Sequence, residues 1–218
     1  MQVNKSSSSQ IKRWAGNFGK EYSDRNLLTL EELDELYNQK YGKTKTELNT
    51  LFLGDFDKSM RILEVGANVG NQLLSLQKMG FKDLHGIEIN EYAIGRSKAR
   101  TKKINIIHGS AFDIPFKDDY FDMAFTSGVL IHISPSDIHK ALNEIHRCSK
   151  EYIWGFEYYA DEYTEVTYRD NKDLLWKTDF ARLYLDSFDD LELVKEEKIK
   201  YLEDENVDTM FLLKKRKV

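Results

Sequence analysis

Between residues 60 and 158, short branched apolar runs alternate with stretches of helical period, and few folds accommodate that alternation. The run Met60-Arg61-Ile62-Leu63-Glu64-Val65 ends at a glycine and reads as a buried strand. A helix is predicted over 69–79, stopped by Gly80, then a strand over 83–88 and a helix over 91–103. Strands follow at 104–108 and 121–127, a helix at 136–147 entered through Ser134-Pro135, and a strand at 151–158. Strands separated by single helices imply right-handed crossovers and a parallel sheet.

The end of the chain breaks this rhythm. After a predicted helix over 172–184 come two strand-like runs, 191–200 and 206–214, with no helix between them. A short polar link makes a hairpin, so one strand must run against its neighbours. The expected architecture is an α/β, Rossmann-like, mostly parallel sheet of about seven strands with one reversed strand and helices on both faces. Ahead of it, helices are predicted over 11–22, 29–41 and 45–53, the second opened by a Thr29 and Glu32 capping box. They suggest a helical lid over residues 1–55 attached to a main unit over 56–218. The serine run Ser6 to Ser9 reads as a frayed end.

Ligands of open parallel sheets bind beyond the carboxyl ends of the strands, which selects the residues to weigh. The first strand opens into Glu64-Val65-Gly66-Ala67-Asn68-Val69-Gly70-Asn71. Gly66 permits a tight turn, Gly70 a close backbone approach, and the following helix offers free N–H groups. A dinucleotide cradle would require glycines where Asn68 and Asn71 stand, so no pyrophosphate site is implied. Glu64, two residues before the first glycine, suits orientation of the loop or a cationic amino group. Glu88, followed by Ile89, closes the second strand, where an acid accepts hydrogen bonds from ribose hydroxyls. Ser110, Ala111 and Phe112 follow the third strand, where a side chain and backbone N–H groups can read an adenine edge; Ser127, Gly128 and Val129 follow the fourth.

EVGANVG, GIEIN, GSAFDIPF and FDMAFTSGVLIHI, taken in order, resemble the successive motifs of class I S-adenosylmethionine-dependent methyltransferases, over about residues 60 to 158. The flanks support a narrower resemblance. Trp14-Ala15-Gly16-Asn17-Phe18-Gly19, Tyr22, Arg25 and Asn26 look like the N-terminal signature of methylases associated with pseudaminic acid biosynthesis. Glu157-Tyr158-Tyr159, Tyr168-Arg169 and residues 175–180 are similar to that group's C-terminal pattern. The resemblance implies S-adenosylmethionine as cofactor, S-adenosylhomocysteine as product, and O-methylation of a sugar or a sugar-linked substituent such as a phosphoramidate in surface glycan assembly. In that setting Trp14, Phe18 and Tyr22 form an aromatic stripe on one lid helix, with Tyr22 and Arg25 reaching the cofactor carboxylate.

A neutral hydroxyl acceptor would need a base. His132, just after the fourth strand, has an ordinary pKa suited to the task, and Glu157 at the end of the fifth competes for it. Tyr158, Tyr159, Tyr168, Arg169 and Lys177 are candidates for binding the acceptor, a small molecule such as a nucleotide-linked sugar. A binding protein without chemistry, and an RNA methyltransferase, are the other readings. A net charge of -5 weighs against nucleic acid, and the basic run Lys214 to Lys217 reads as a solvated end. A single cysteine, Cys148, excludes an intrachain disulfide and cysteine-based metal clusters; Asp118, Asp119 and Asp122 read as turn residues, and no metal is expected. No apolar run suits a membrane span or a signal peptide, so a cytoplasmic protein, monomeric or homodimeric, is expected.

Overall fold

The computed structural model describes residues 5–216. Four helices come first: α1 (Lys5–Ala15), α2 (Asn17–Arg25), α3 (Leu30–Tyr41) and α4 (Lys45–Leu53). Then follow β1 (Arg61–Val65), α5 (Asn71–Lys78), β2 (Asp83–Glu88), α6 (Glu91–Arg100), β3 (Ile104–His108) and β4 (Phe121–Ser127). A single 3-10 turn over Leu130–His132 leads to α7 (Ile138–Cys148) and β5 (Ser149–Tyr158). The chain ends with β6 (Thr164–Glu165), β7 (Trp176–Lys177), α8 (Phe180–Ser187), β8 (Leu191–Lys200) and β9 (Val207–Lys215).

Seven strands form one sheet in the order β3-β2-β1-β4-β5-β9-β8, in which β9 alone is reversed, antiparallel to both β5 and β8. Strand order reverses between β1 and β4, which places the ligand crevice at their carboxyl ends. The inner strands bury both faces, so odd and even side chains enter separate cores. Ile62, Trp154, Phe156, Met210 and Leu212 pack with α3, α4 and α5 on one face. Leu63, Ile153, Phe211 and Leu213 pack with α7 and α8 on the other. Helices α3 and α4 therefore share a core with the sheet. Each opens with a complete capping box, Thr29 with Glu32 and Thr44 with Glu47.

Several expectations are corrected. The predicted helix over 11–22 is two helices, α1 and α2, broken at Gly16, and Ser6 to Ser9 lie inside α1. The helix predicted from 69 starts at Asn71, because Gly70 adopts the left-handed conformation as its N-cap. No helix spans 172–184; β7 pairs antiparallel with β6, and α8 begins only at Phe180. Leu174, Leu175 and Trp176 are all buried, a consecutive run that one helix face cannot bury, and Asp179 caps α8 through the Arg182 N–H. Of the basic run, Lys214 and Lys215 lie in β9 and face Glu151 and Asp119 at 3.5 and 3.3 Å; Lys217 lies outside the described residues.

Candidate active site

The turn after β1 is built by backbone geometry. Gly66 has φ of 78°, and a side chain there would place its Cβ 2.6 Å from a Val129 methyl. The N–H groups of Gly66 and Ala67 both donate to the Ile87 carbonyl at 2.9 Å, tying the turn to β2. At the end of β2, Glu88 accepts the Asn68 N–H on one oxygen and the Asn90 N–H on the other, each at 2.8 Å. Burial nonetheless raises its pKa above the ordinary carboxylate value. A carboxylate offers about four acceptor positions, so these backbone bonds do not exhaust Glu88, which lines the cavity. Glu64 is 4% exposed, and its Oε2 has no hydrogen-bond partner among the described residues. Burial raises its pKa well above the ordinary value, opposed by the charge of Lys45.

A cavity of about 460 Å³ runs over this edge of the sheet. Tyr22, Glu64, Gly66, Asn68, Glu88, Ile89, Ser110, Ala111, Phe112, Ser127, Gly128 and Val129, singled out from the sequence for the cofactor, all line it. Gly70 is not among the lining residues and faces Ile106 and Thr101, and Arg25 stands exposed at the end of α2, away from the wall. The Ser110 hydroxyl faces its own loop, accepting the Phe112 N–H at 3.2 Å.

Helices α1 and α2 contribute to the cavity wall. Trp14 packs edge-on against Phe18 and Tyr22, with ring centres 5.1 and 5.4 Å apart, and 4.5 Å from the His132 ring. The stripe expected on one helix is thus closed on itself across the Gly16 break. Asn90 joins the parts: its side chain caps α6 through the Tyr92 and Ala93 N–H groups and donates to the carbonyls of Trp14 and Gly16. Ser23 donates to the Asn68 side chain at 2.7 Å, so α2 is tied directly to the glycine turn.

The two proposed bases differ from expectation. His132 lines the cavity and meets the Leu174 carbonyl oxygen through Nδ1 at 2.7 Å, which leaves Nε2 as its second nitrogen. Burial drives its pKa down to about 4, so it is a neutral and weak base at pH 7. Glu157 is 1% exposed and off the cavity wall; its carboxylate accepts the Val129 and Ile131 N–H groups at 3.1 and 3.5 Å. Its geometry makes it a clamp on the loop after β4, with a pKa raised by burial to about 7.

The acceptor candidates are divided. Tyr158 and Tyr168 line the cavity. Tyr159 and Lys177 lie on a second, shallower hollow, where Lys177 donates to Asn206, and Arg169 is exposed. The inner end of the cavity is lined instead by residues that strand-end reasoning passed over: Tyr37, Lys40, Tyr41, Lys45, Phe156 and Asp208. The i, i+4 pair Tyr37 and Tyr41 was the available signal, although such a pair reads first as core. Among the described residues no cluster of three His, Cys, Asp or Glu is arranged to hold a metal; Asp118 pairs with Arg147 and Asp122 accepts the Arg61 N–H.

The sheet order with its one reversed strand, and the glycine turn bonded to a strand-end acid beside a cavity, are those of the class I methyltransferase fold. Residues 63–152 match the family model described as a methyltransferase domain. A sterol methyltransferase-like protein of Botryococcus braunii is 28% identical over 104 residues, 45% of this chain and 26% of that protein. Demethylmenaquinone methyltransferase of Staphylococcus aureus is 26% identical over 155 residues, 69% of this chain and 60% of that protein. The chain therefore spans less than two thirds of the length of these curated relatives. Among solved structures, Burkholderia thailandensis 1,6-didemethyltoxoflavin-N1-methyltransferase, with 1,6-didemethyltoxoflavin and S-adenosylhomocysteine bound, superimposes with a TM-score of 0.71 at 13% identity. It covers 100% of this chain and 92% of that one.

Proposed function

We propose that this chain is an S-adenosylmethionine-dependent methyltransferase acting on an oxygen of a small molecule. Glu88 carries the reading: a buried carboxylate oriented by backbone N–H groups at the end of β2, on the cavity wall, is placed to accept the cofactor's ribose hydroxyls. The unpartnered oxygen of Glu64 suits the cofactor's amino group, and the glycine turn admits the methionine chain against its backbone. Ser110, Ala111 and Phe112 would border the adenine, and Tyr22 the carboxylate. When bound, the cofactor supplies a methyl group on a cationic sulfur, already activated for transfer.

The protein's own contribution is then placement and exclusion of water. Trp14 and Tyr22 line the cavity, and Glu157 holds the loop over Val129 to Ile131 that walls it. His132, neutral at pH 7, can accept a hydrogen bond from an acceptor hydroxyl while remaining a poor sink for its proton. The likeness of the flanks to methylases of pseudaminic acid biosynthesis supports a sugar, or a substituent carried on one, as the substrate in surface glycan assembly. The aromatic walls suit such a ring.

Calorimetric titration tests the cofactor. S-adenosylmethionine and S-adenosylhomocysteine are expected to bind with micromolar affinity, NAD not to bind, and Glu88→Ala to weaken binding by roughly a hundredfold. Equal affinity in the variant, or preference for NAD, would reject this reading.

A further inference from the structure

The inner end of the cavity contains a charge for which the cofactor reading has no use. Lys45 occupies the first position of α4 yet is only 2% exposed, its side chain turned into the cavity. The N-terminus of a helix and a buried site both disfavour a cation. Its nitrogen donates to a phenol, the Tyr37 hydroxyl at 3.3 Å, with the Tyr37 and Phe156 ring centres 4.7 and 4.6 Å away.

Two of the three acids around Lys45 have partners of their own, and the third, Glu64, is the one the cofactor reading employs. From β9, Asp208 accepts bonds from the hydroxyls of Tyr41 and Tyr201 and lies 3.7 Å from Lys40 of α3. From β5, Glu157 is bound to backbone N–H groups. From β1, Glu64 would pair with the amino group of the cofactor, which leaves Lys45 as the uncompensated cation of the loaded site.

We propose that Lys45 anchors an anion-binding acceptor subsite, so that the substrate is a small molecule carrying a carboxylate or phosphorus oxyanion beside a ring that packs on Tyr37 and Phe156. This rests on the methyl-transfer reading of the cavity. An acceptor oxygen that is already ionised also needs no strong base, in keeping with the weak basicity of His132 and the engagement of Glu157. Burial holds the Lys45 amine near a pKa of about 7, opposed mainly by Glu64 and Asp208. A bound oxyanion favours the charged amine, so at pH 7.5 its binding is accompanied by uptake of a fraction of a proton.

The test uses the full chain saturated with S-adenosylhomocysteine and titrated with phenyl phosphate and glucose 6-phosphate, with benzyl alcohol and glucose as neutral counterparts. Each titration is run in two buffers of different ionisation enthalpy. The proposal expects both anions to bind more tightly than their neutral counterparts, with proton uptake. In protein held saturated with S-adenosylhomocysteine, Lys45→Met should weaken the anions by roughly tenfold or more and abolish the uptake. Failure of both anions to bind, equal binding of the neutral probes, or unchanged anion binding in Lys45→Met overturns it. Proton uptake on S-adenosylhomocysteine binding alone, lost together with that affinity in Lys45→Met, overturns it in favour of a lysine serving the cofactor. Wild-type protein that does not bind S-adenosylhomocysteine fails at the first titration, which separates loss of the cofactor reading from loss of this one.

Discussion

His132 shows how far a single side chain departs from its ordinary chemistry once packed. Between Trp14, Tyr168 and the Leu174 carbonyl, its pKa falls from 6.5 to about 4. The unfolded chain therefore binds more protons than the folded one between those values. The folded state loses stability as pH drops from 6.5 towards 4, by at most about 3 kcal/mol from this group. His132→Asn, which retains a donor for Leu174, should lose that part of the acid sensitivity; urea unfolding of both proteins at pH 7.5 and pH 5 measures it. An unchanged difference between the two pH values would mean that the imidazole is not buried as described. Glu64, Gly66 and Glu88 could be picked from the sequence because strand ends and a glycine turn locate them without knowledge of neighbours. Lys45 could not, since a lysine following a helix cap reads as solvated, and only the fold turns it inward. Glu157 was legible as a strand-end acid, but its backbone partners on the β4 loop depend on how β4 and β5 are aligned.

At the scale of elements, the lid depends on the close crossing of α1 and α2. A Cβ at Gly19 would fall 1.8 Å from the Trp14 carbonyl oxygen and 2.6 Å from the Asn90 amide. Gly19→Ala should therefore lift α1 away while the sheet stays folded. The expected readings are faster proteolysis within the first 25 residues, unchanged far-UV circular dichroism, and S-adenosylhomocysteine affinity lowered by roughly tenfold. An unaltered cleavage pattern would show that the crossing tolerates the methyl group. The inner strands were legible because burial on both faces writes itself into short branched runs, whereas most of the edge strand β8 is exposed or half-buried. The lid helices were legible as helices, while their break at Gly16 was not, because the glycine is answered by Asn90, a residue 74 positions away. The predicted helix over 172–184 is real only from Phe180, for a similar cause: Leu174 to Trp176 are held by contacts with the His132 turn and β6, and no local period records those.

Across the whole molecule, the lid, the glycine turn and α6 meet at one cavity, so a bound cofactor should stabilise all of them together. At a free ligand concentration a hundredfold above Kd, the gain is about 2.7 kcal/mol, or roughly 5–10 °C in Tm for a chain of this size. Differential scanning fluorimetry with S-adenosylhomocysteine checks it, with NAD expected to give no shift; equal shifts would point to non-specific binding. The amino-acid sequence determined the order of the elements, the reversed strand near the end, and the turn with its two acids, because these follow from periodicity, turn chemistry and spacing along the chain. Which oxygens stay free, how far His132 loses its basicity, and where a lysine is buried were decided only by tertiary packing. Those properties depend on desolvation and on partners from distant elements, and neither is encoded in any local stretch of residues.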